Sequence, residues 1–448
     1  MVHYTKKDIL RLVEEEDVEF IRLQFSDIFG NLKNMAVTAQ QLERVLDLGY
    51  VFDGSCVEGF LSDNEGDVFL MPDLDTLAIF PWRPQQGKVA RLICDIKGPD
   101  GQPFYGDPRH ILKNEVENAA GMGYQFDVGP ECEFFLFHTD DEGGPTTLTK
   151  EKAGFFDMAP IDMGENARRE IILTLEEMGF EVETSYHETA PAQHQIDFRY
   201  ADALQTADNI MTFKLAVKTV AKRFGLHATF MPKPCGNCNG SGMHTNISLS
   251  RDGYNIFQDA GDENGLSREA YWFIGGLLRH AAGLSAITNP LVNSYKRLYP
   301  GRMSQRNTAP AYVTWSAKSR SQMIRIPALR GDNARLELRT PDPSCNPYLT
   351  LAVCLAAGLD GIKNQIEPPA AVDTDPRKMT DDERQALGIE ALPRNLEEAV
   401  DAMEKDGLVK SVLGEKVADS YIESKRLEWE SYCSAVSEWE IEHYLYRI

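Results

Sequence analysis

Two glutamates, Glu131 and Glu133, are the most informative residues of this chain for chemistry. They fall in the run Glu131–Phe137, whose aromatic and aliphatic residues predict a β-strand. Side chains two residues apart in a strand share a face, so both carboxylates lie on the same side. Buried carboxylates this close repel each other unless a proton or a cation lies between them. The spacing therefore predicts a metal-binding or proton-sharing site.

Three further runs predict strands with one polar face. Their polar faces hold Gln193, Gln195, Asp197 and Arg199 in the first run, His244, Asn246 and Ser248 in the second, and Arg335, Glu337 and Arg339 in the third. One such strand alone is the ordinary pattern of an antiparallel sheet with one face in water. Four of them could line one cavity with carboxylates and a histidine, a ligand set that suits Mg²⁺ or Mn²⁺.

The residues directly before His244 form a loop that contains Gly236, Gly240 and Gly242. Glycine lets the backbone approach a phosphate closely, with amide N–H groups pointing at the anion. The loop is not a Walker A motif, because no Gly-Lys-Ser/Thr follows it. A plain turn would have the same composition, but the metal-ligand candidates after the loop favour a nucleotide polyphosphate with its metal.

Basic residues cluster in a chain that is acidic overall. The formal net charge is -23, yet the stretch from Ala270 to Gly331 contains no Asp or Glu. Its basic residues are Arg279, Lys296, Arg297, Arg302, Arg306, Lys318, Arg320, Arg325 and Arg330. Such a cluster repels itself unless a counter-charge is present. A solvated basic face would also fit, but charges alternate with leucines in Arg335–Arg339, which favours a site. If the glycine loop and the metal-ligand candidates bind a nucleotide polyphosphate, the basic cluster can neutralise charge on a transferring phosphoryl group.

The composition excludes several classes of partner. Hydrophobic residues make up 42% of the chain and charged residues 26%, as in ordinary globular proteins. The net acidity disfavours nucleic acid and anionic membranes. The sequence has no signal-peptide pattern and no apolar run long enough for a transmembrane helix. Its 8 cysteines are scattered and predict no disulfide framework, so we expect a cytoplasmic protein.

The elements that hold these residues divide into two parts. Residues 1–104 predict a small mixed domain that ends at the turn Gly98–Gly101. Residues 105–448 predict a large α+β domain. Its helices are predicted near His110–Met122, Arg168–Met178, Asp208–Phe224, Arg268–Ile287 and Pro347–Asn364. The terminal segment Trp439–Ile448 is rich in apolar side chains, which predicts that it docks on another subunit.

The chain resembles bacterial type I glutamine synthetase from about Asp17 to its C-terminus. The motifs that carry the resemblance are Phe52–Ser55, Gly129–Leu136, Asn239–His244, Asn293–Leu298, Ile324–Pro327 and Asn346–Tyr348. The resemblance implies a β-grasp-like N-terminal domain and a catalytic domain whose curved antiparallel sheet, flanked by helices, lines a funnel-shaped metal site. It also implies a dodecamer of two stacked hexameric rings with active sites shared between neighbouring subunits.

The same resemblance implies the reaction and the residues that carry it. ATP phosphorylates the γ-carboxylate of glutamate, and ammonia then attacks the acyl phosphate. The implied metal ligands are Glu131, His244 and Glu337 for the cation that bridges the phosphates, and Glu133, Glu188 and Gln195 for the cation that anchors glutamate. The implied glutamate-binding residues are Asn239, Gly240, Arg297 and Arg339.

Further residues are implied for the nucleotide and for catalysis. The nucleotide-binding residues are Glu183, Tyr200, Ser248, Arg320, Arg325 and Arg335. The catalytic residues are Asp53, Arg320 and Arg339. Asp53 would come from the adjacent subunit and take a proton from ammonium, because ammonium has no lone pair until it is deprotonated.

Two departures from the family pattern leave alternatives open. Gln195, a neutral and weaker ligand, stands where the family has a carboxylate. The loop Arg302–Thr308 is longer than its family counterpart and lacks the acidic residue that helps to accept the ammonium proton. The alternatives are a γ-glutamyl ligase that uses an amine in place of ammonia, and a catalytically impaired paralogue with a regulatory role. The retained carboxylates and arginines count against the impaired paralogue, because a chain without catalytic work has no physical need for them.

Overall fold

This computed structural model describes residues 3–59, 66–83, 86–299 and 309–448. The elements of the first part are α1 (Lys6–Glu15), β1 (Val18–Ser26), β2 (Leu32–Thr38), α2 (Ala39–Leu48), β3 (Tyr50–Asp53), β4 (Asp67–Pro72), β5 (Ala78–Ile79) and β6 (Lys88–Lys97). The strands form one sheet in the order β2-β1-β6-β4-β3, and β5 pairs with β6. β1 runs parallel to β6, whereas β1 and β2 are antiparallel. Helices α1 and α2 bury one face each against this sheet.

The second part contains most of the helices. Its elements are α3 (Pro108–Gly121), β7 (Gln125–His138), α4 (Glu165–Glu177), β8 (Val182–His187), β9 (Gln193–Phe198), β10 (Ala201–Asp202), α5 (Ala203–Arg223), β11 (Leu226–Thr229), β12 (Met243–Arg251), β13 (Tyr254–Asn255), α6 (Arg268–Arg279), α7 (Ala281–Thr288), α8 (Val292–Leu298), β14 (Trp315–Ser316), β15 (Ile324–Arg325), β16 (Leu336–Leu338), α9 (Pro347–Asn364), α10 (Asp381–Ala386), α11 (Leu396–Lys405), α12 (Gly407–Leu413), α13 (Glu415–Ser434) and α14 (Glu438–Tyr444).

The large sheet is built around the long strand β7. Its order is β14-β15-β16-β12-β7-β9-β8, with β10 and β11 also paired to β7. Every pair is antiparallel except β14 with β15. Alternation along β7 places the glutamates and the residues that pack against α5 on opposite faces of the sheet. Phe134 and Leu136 pack with Phe213 and Val217 of α5, so the neighbouring glutamates face the other side of the sheet.

The helices expected near His110–Met122, Arg168–Met178, Asp208–Phe224 and Pro347–Asn364 are confirmed as α3, α4, α5 and α9. The prediction of one continuous helix over Arg268–Ile287 is wrong. The helix breaks at His280, between α6 and α7. The His280 ring lies 2.8 Å from Asp406 Oδ2 and 3.2 Å from Asp360 Oδ2, and these contacts hold it at the corner between the helices.

Buried charges join the two parts of the chain. Arg109 at the start of α3 donates to Asp95 Oδ1 at 2.6 Å, to Asp73 Oδ2 at 2.7 Å and to Asp208 Oδ2 at 2.9 Å. Asp73 and Asp95 belong to the N-terminal part and Asp208 to α5. Losing Arg109 would leave the buried Asp208 without this ion pair, whereas Asp95 would keep its ion pair with Lys113. Among the described helices, none has the length and apolar character needed to cross a membrane.

Candidate active site

Three neighbouring strands bring Glu131, His244 and Glu337 together. Residues directly opposite each other in an antiparallel pair point to the same face. His244 lies opposite Glu131, and Glu337 lies opposite Asn246, two residues further along β12. The Nδ1 atom of His244 lies 3.2 Å from Glu131 Oε2 and 3.6 Å from Glu337 Oε1. One ligand atom from each of the three residues lies within 4.8 Å of the others, which is close enough to hold one cation.

The electrostatics of this trio favour cation binding. Burial raises the pKa of Glu131, but hydrogen bonds from His244 and Asn246 outweigh it and lower the pKa to about 2. Burial also opposes ionisation of Glu337, yet Arg339 and His244 lower its pKa below the usual value. Burial and the charge of Arg339 lower the pKa of His244. At neutral pH the trio therefore offers two carboxylates and a neutral imidazole, the forms that bind a metal ion.

A cavity of about 410 Å³ contains Glu131 and His244 together with Glu133, Glu188 and Gln195. We call it the carboxylate cavity. Gln195 of β9 lies opposite Glu133 of β7, so these two side chains share the face of the sheet that carries Glu131. Gln195 Nε2 donates to Asp197 Oδ1 at 2.8 Å, which leaves the Gln195 carbonyl oxygen as its ligand atom.

The carboxylates in this cavity repel each other. Burial, reinforced by the negative charge of Glu188, raises the pKa of Glu133 to about 8. Burial also raises the pKa of Glu188. A cation between the two side chains would relieve both the desolvation and the repulsion. This part of the cavity can therefore hold a second cation, with two carboxylates and one amide oxygen as protein ligands.

The same cavity gathers the residues expected to bind glutamate. Asn239, Gly240, Arg297, Arg320 and Arg339 all line it. The buried guanidinium of Arg297 is anchored from behind, because Nη1 donates to the Thr340 carbonyl at 2.6 Å and Nη2 to the Arg339 carbonyl at 2.9 Å. A Cβ on Gly240 would overlap the Pro232 carbonyl. That glycine is therefore required for close packing of the loop, whatever it binds.

A second cavity, of about 630 Å³, holds four of the six residues expected to bind the nucleotide. Glu183, Tyr200, Ser248 and Arg335 line it. The Tyr200 ring is 55% exposed and therefore accessible to a flat aromatic base. Arg335 Nε donates to Asn246 Oδ1 at 3.1 Å, which fixes its guanidinium at the wall. Glu131 lines both cavities, so they meet at the first cation site.

Three residues expected in the site do not line either cavity in the described part of the chain. The buried Glu337 lies beside His244, which does line the carboxylate cavity. Arg325 is ion-paired behind the wall, with Nη1 at 2.5 Å from Glu337 Oε2. Asp53 lies at the end of β3, where its exposed carboxylate accepts hydrogen bonds from Ser55 N at 3.0 Å and Ser55 Oγ at 2.6 Å. The resemblance assigns Asp53 to a neighbouring subunit, so its role stays a prediction. The loop Arg302–Thr308 lies outside the described residues.

Five residues of the carboxylate cavity had no role assigned from the sequence. They are Phe155, Tyr186, Thr189, Gln193 and Ala309. The sequence could have indicated Gln193, because side chains alternate along a strand and this places Gln193 on the polar face of β9 with Gln195. Tyr186 lies opposite Gln195 on β8, a relationship that depends on strand register. Phe155 comes from the irregular segment between β7 and α4, where no periodic pattern marks an inward-facing residue.

A second cluster of possible ligands lies beside Glu188. It consists of Glu151, His187 and His194, all buried. His194 Nδ1 lies 2.8 Å from Arg168 Nη1, and because a guanidinium only donates, this Nδ1 accepts. The neutral ring then carries its hydrogen on Nε2, the atom that would have to bind the cation. His187 Nδ1 lies 2.7 Å from the Glu188 carbonyl, so the cluster supports the Glu188 backbone and is not a metal site.

Comparisons with known proteins agree with this geometry. A family model described as "Glutamine synthetase, catalytic domain" matches residues 105–444, and one described as "Glutamine synthetase, beta-Grasp domain" matches residues 17–99. The first confirms the expected class of the large domain and the second the β-grasp-like N-terminal sheet.

Full-length relatives give the same result. The chain is 58% identical to glutamine synthetase of Clostridium saccharobutylicum over 445 residues, 99% of each chain. It is 51% identical to glutamine synthetase of Staphylococcus aureus strain Mu50 over 443 residues, 99% of this chain and 98% of the relative.

Solved structures extend the likeness to the whole fold. A GmaS–ADP complex is 35% identical, with a TM-score of 0.89 over 98% of this chain and 99% of that one. Plasmodium falciparum glutamine synthetase is 26% identical, with a TM-score of 0.86 over 99% of each chain. Both domains, the full-length relatives and the cation sites agree: the chain belongs to the glutamine synthetase family.

Proposed function

We propose that the chain is an ATP-dependent ligase that forms glutamine from glutamate and ammonia through γ-glutamyl phosphate. The observation that carries this function is the meeting of two cavities at one side chain, Glu131. A nucleotide in the larger cavity would direct its phosphates toward Glu131, and a carboxylate substrate in the carboxylate cavity would meet them there. The relatives named glutamine synthetase support the same reaction, and they do not favour the amine ligase or the impaired paralogue.

We assign two cations to the site. Glu131, His244 and Glu337 would hold the first, and Glu133, Glu188 and Gln195 the second. Mg²⁺ or Mn²⁺ suits these ligands, because all are oxygen atoms except one imidazole nitrogen. When bound, the cations would neutralise charge on the phosphoryl group and on the acceptor carboxylate.

The protein's own residues position the reactants. Asn239, Gly240 and Arg297 hold glutamate. Arg339 lies between these residues and Glu337. Glu183, Tyr200 and Ser248 hold the nucleoside. We assign Arg320, Arg325 and Arg335 to the phosphates. Arg325 is ion-paired with Glu337 and would have to leave that carboxylate to reach them. Positioning and charge neutralisation of this kind supply most of the catalysis of phosphoryl transfer.

Ammonia formation needs a base, and we assign that role to Asp53 of a neighbouring subunit. Hydrogen bonds from the Ser55 side chain and backbone lower the pKa of Asp53, so its carboxylate is ionised at neutral pH. An ionised carboxylate can hold ammonium and accept its proton. The dodecamer of two hexameric rings is the assembly that would bring this exposed residue to the cavity of the next subunit.

A phosphate-release assay tests the function. Purified protein with ATP, Mg²⁺ and glutamate should release phosphate when ammonium is added, and glutamine should accumulate in equal amount. Phosphate release only with an alkylamine or a polyamine would identify an amine ligase. No release with any acceptor would favour the impaired paralogue.

A further inference from the structure

Gln193 occupies an unusual position in the carboxylate cavity. Its side chain is 1% exposed, and all of its amide hydrogen-bonding atoms are engaged. Nε2 donates to Glu133 Oε2 at 3.0 Å and to the Gly240 carbonyl at 3.0 Å, while Oε1 accepts from Ala190 N at 3.3 Å. One buried amide thus connects a candidate cation ligand, the loop expected to bind glutamate, and the turn between β8 and β9.

The hydrogen bonds of Glu133 show what this connection does. Glu133 Oε2 accepts from Gln193 Nε2 and also from Gly242 N at 2.9 Å. Both donors bind the same oxygen, and among the described residues none donates to Oε1. The carboxylate is therefore held in one orientation, with Oε2 turned to the protein and Oε1 left for a cation. Donors of this kind commonly fix the geometry of metal ligands and tune metal affinity.

We propose that Gln193 is a positioning residue that presents Glu133 Oε1 to the second cation and ties this ligand to the Gly240 carbonyl of the glutamate-binding loop. The inference rests on the proposed function. Gln193 touches neither the phosphates nor the nucleoside cavity, since it lines only the carboxylate cavity. Its loss should therefore weaken cation and glutamate binding together and leave nucleotide binding in place.

The Gly240 contact explains why two ligands would be affected by one residue. Gly240 belongs to a loop without regular secondary structure, and such a loop is ordered by its hydrogen bonds. Gln193 supplies one of them, and Lys233 N donates to Asn293 Oδ1 at 2.7 Å at the other end of the loop. Without the amide of Gln193, the Gly240 part of the loop would lose its link to β9, and the hydrogen bonds between Gly242 and Glu133 would remain as the link to β7.

The test compares Gln193→Met with a matched control. Methionine keeps the length and volume of the side chain but has no N–H donor. Gln322→Met is the control, because Gln322 is also fully buried and hydrogen-bonded, with partners Thr314 and Thr374 that lie on neither cavity. Mn²⁺ binding would be measured on the nucleotide-free protein from the electron paramagnetic resonance signal of free Mn²⁺. The KM values for glutamate and ATP would be measured separately.

We expect Gln193→Met to bind Mn²⁺ at the second cation site about tenfold less tightly than the wild-type protein does. Its KM for glutamate should be about tenfold higher. The KM for ATP should change less than about twofold, and Gln322→Met should retain wild-type values for all three. Unchanged Mn²⁺ affinity and glutamate KM in Gln193→Met would overturn the inference while the proposed function stood. Absence of Mn²⁺ binding by the wild-type protein would overturn the proposed metal sites and the inference with them.

If Gln193→Met does not fold, Gln193→Asn gives the same comparison. Asparagine keeps a buried amide, but its side chain is too short to bridge both partners.

Discussion

Gln195 supplies a neutral third ligand at the second candidate cation site. The site of Glu131, His244 and Glu337 and the site of Glu133 and Glu188 each contain two carboxylates, but the third ligand is an imidazole in one and an amide in the other. An amide oxygen carries no net charge, so the second site attracts a divalent cation less strongly than a site with three carboxylates would. The difference makes Gln195 a direct probe of the second site.

Gln195→Glu should tighten Mn²⁺ binding at the second site by about tenfold. Without metal, the added carboxylate should lower the melting temperature, because it would be buried beside Glu133 and Glu188. Thermal unfolding with and without Mn²⁺ measures both effects. If the substitution leaves the Mn²⁺ affinity unchanged, Gln195 is not a ligand.

The assignment of two cavities can be tested by one substitution in each. Tyr200→Ala should raise the KM for ATP about tenfold with little change for glutamate, because base stacking on the ring is lost. Asn239→Ala should do the reverse, since Asn239 lines only the carboxylate cavity. Steady-state kinetics with each substrate varied in turn gives both values. Equal effects of either variant on both KM values would contradict the separation.

At the scale of elements, the site depends on which residues of neighbouring strands lie opposite each other. Local alternation along the sequence predicted which residues of β7, β9 and β12 share a face. Two of the predicted strands were too long, because Arg199 lies just beyond β9, and Arg335 and Arg339 flank the short β16. The strand register was not predictable in this way. The pairing of His244 with Glu131, and of Gln195 with Tyr186, depends on long-range contacts that no local pattern encodes.

The position of a residue at the site was easiest to predict where the residue belongs to a sequence motif. Asn239 and Arg297 were expected at the site from motifs, and both line the carboxylate cavity. Gln193 and Phe155 have no such motif. The break at His280 was missed because the residues of α6 and α7 form one continuous apolar pattern, and the cause of the break lies in the contacts of its ring with Asp406 and Asp360.

The corner at His280 should make stability depend on pH. Burial lowers the pKa of His280, but hydrogen bonds to Asp406 and Asp360 outweigh it and raise the pKa above the ordinary 6.5. A raised pKa means that this stabilisation is fully present below about pH 6.5 and is lost as the pH rises through the folded-state value. His280→Gln should therefore destabilise the protein more at about pH 6 than at about pH 9. Denaturant unfolding at both pH values measures it, and an equal loss at both would show that the ring is uncharged in the folded state.

At the scale of the whole molecule, the two parts follow one another along the chain but do not have separate apolar cores. One apolar cluster runs from Ile9 and Leu92 of the first part to Leu349 and Ile422 of the second. The division into residues 1–104 and 105–448 therefore stays a prediction. The continuous core and the Arg109 network lead us to expect that both parts unfold in one transition.

The C-terminal segment bears on assembly. Trp439, Ile441, Tyr444 and Tyr446 are exposed in the single chain, which is unusual for large apolar side chains so close together. Deletion of residues 436–448 should reduce the size of the assembly, because these side chains would lose their partner subunit. Analytical ultracentrifugation of the truncated and full chains tests this. Identical sedimentation of the two would show that the segment does not hold the assembly together.

The central claim is that a phosphoryl group passes from ATP to the γ-carboxylate of glutamate where the two cavities meet at Glu131. In that reaction a carboxylate oxygen of glutamate bonds to the γ-phosphorus of ATP while the bond from that phosphorus to the ADP oxygen breaks. Ammonia then attacks the γ-carbon, and the carbon–oxygen bond breaks to release phosphate. Glutamate labelled with ¹⁸O in its γ-carboxylate measures this step directly. The account predicts that each phosphate released in the presence of ammonium carries one oxygen from glutamate. Release of unlabelled phosphate would contradict it.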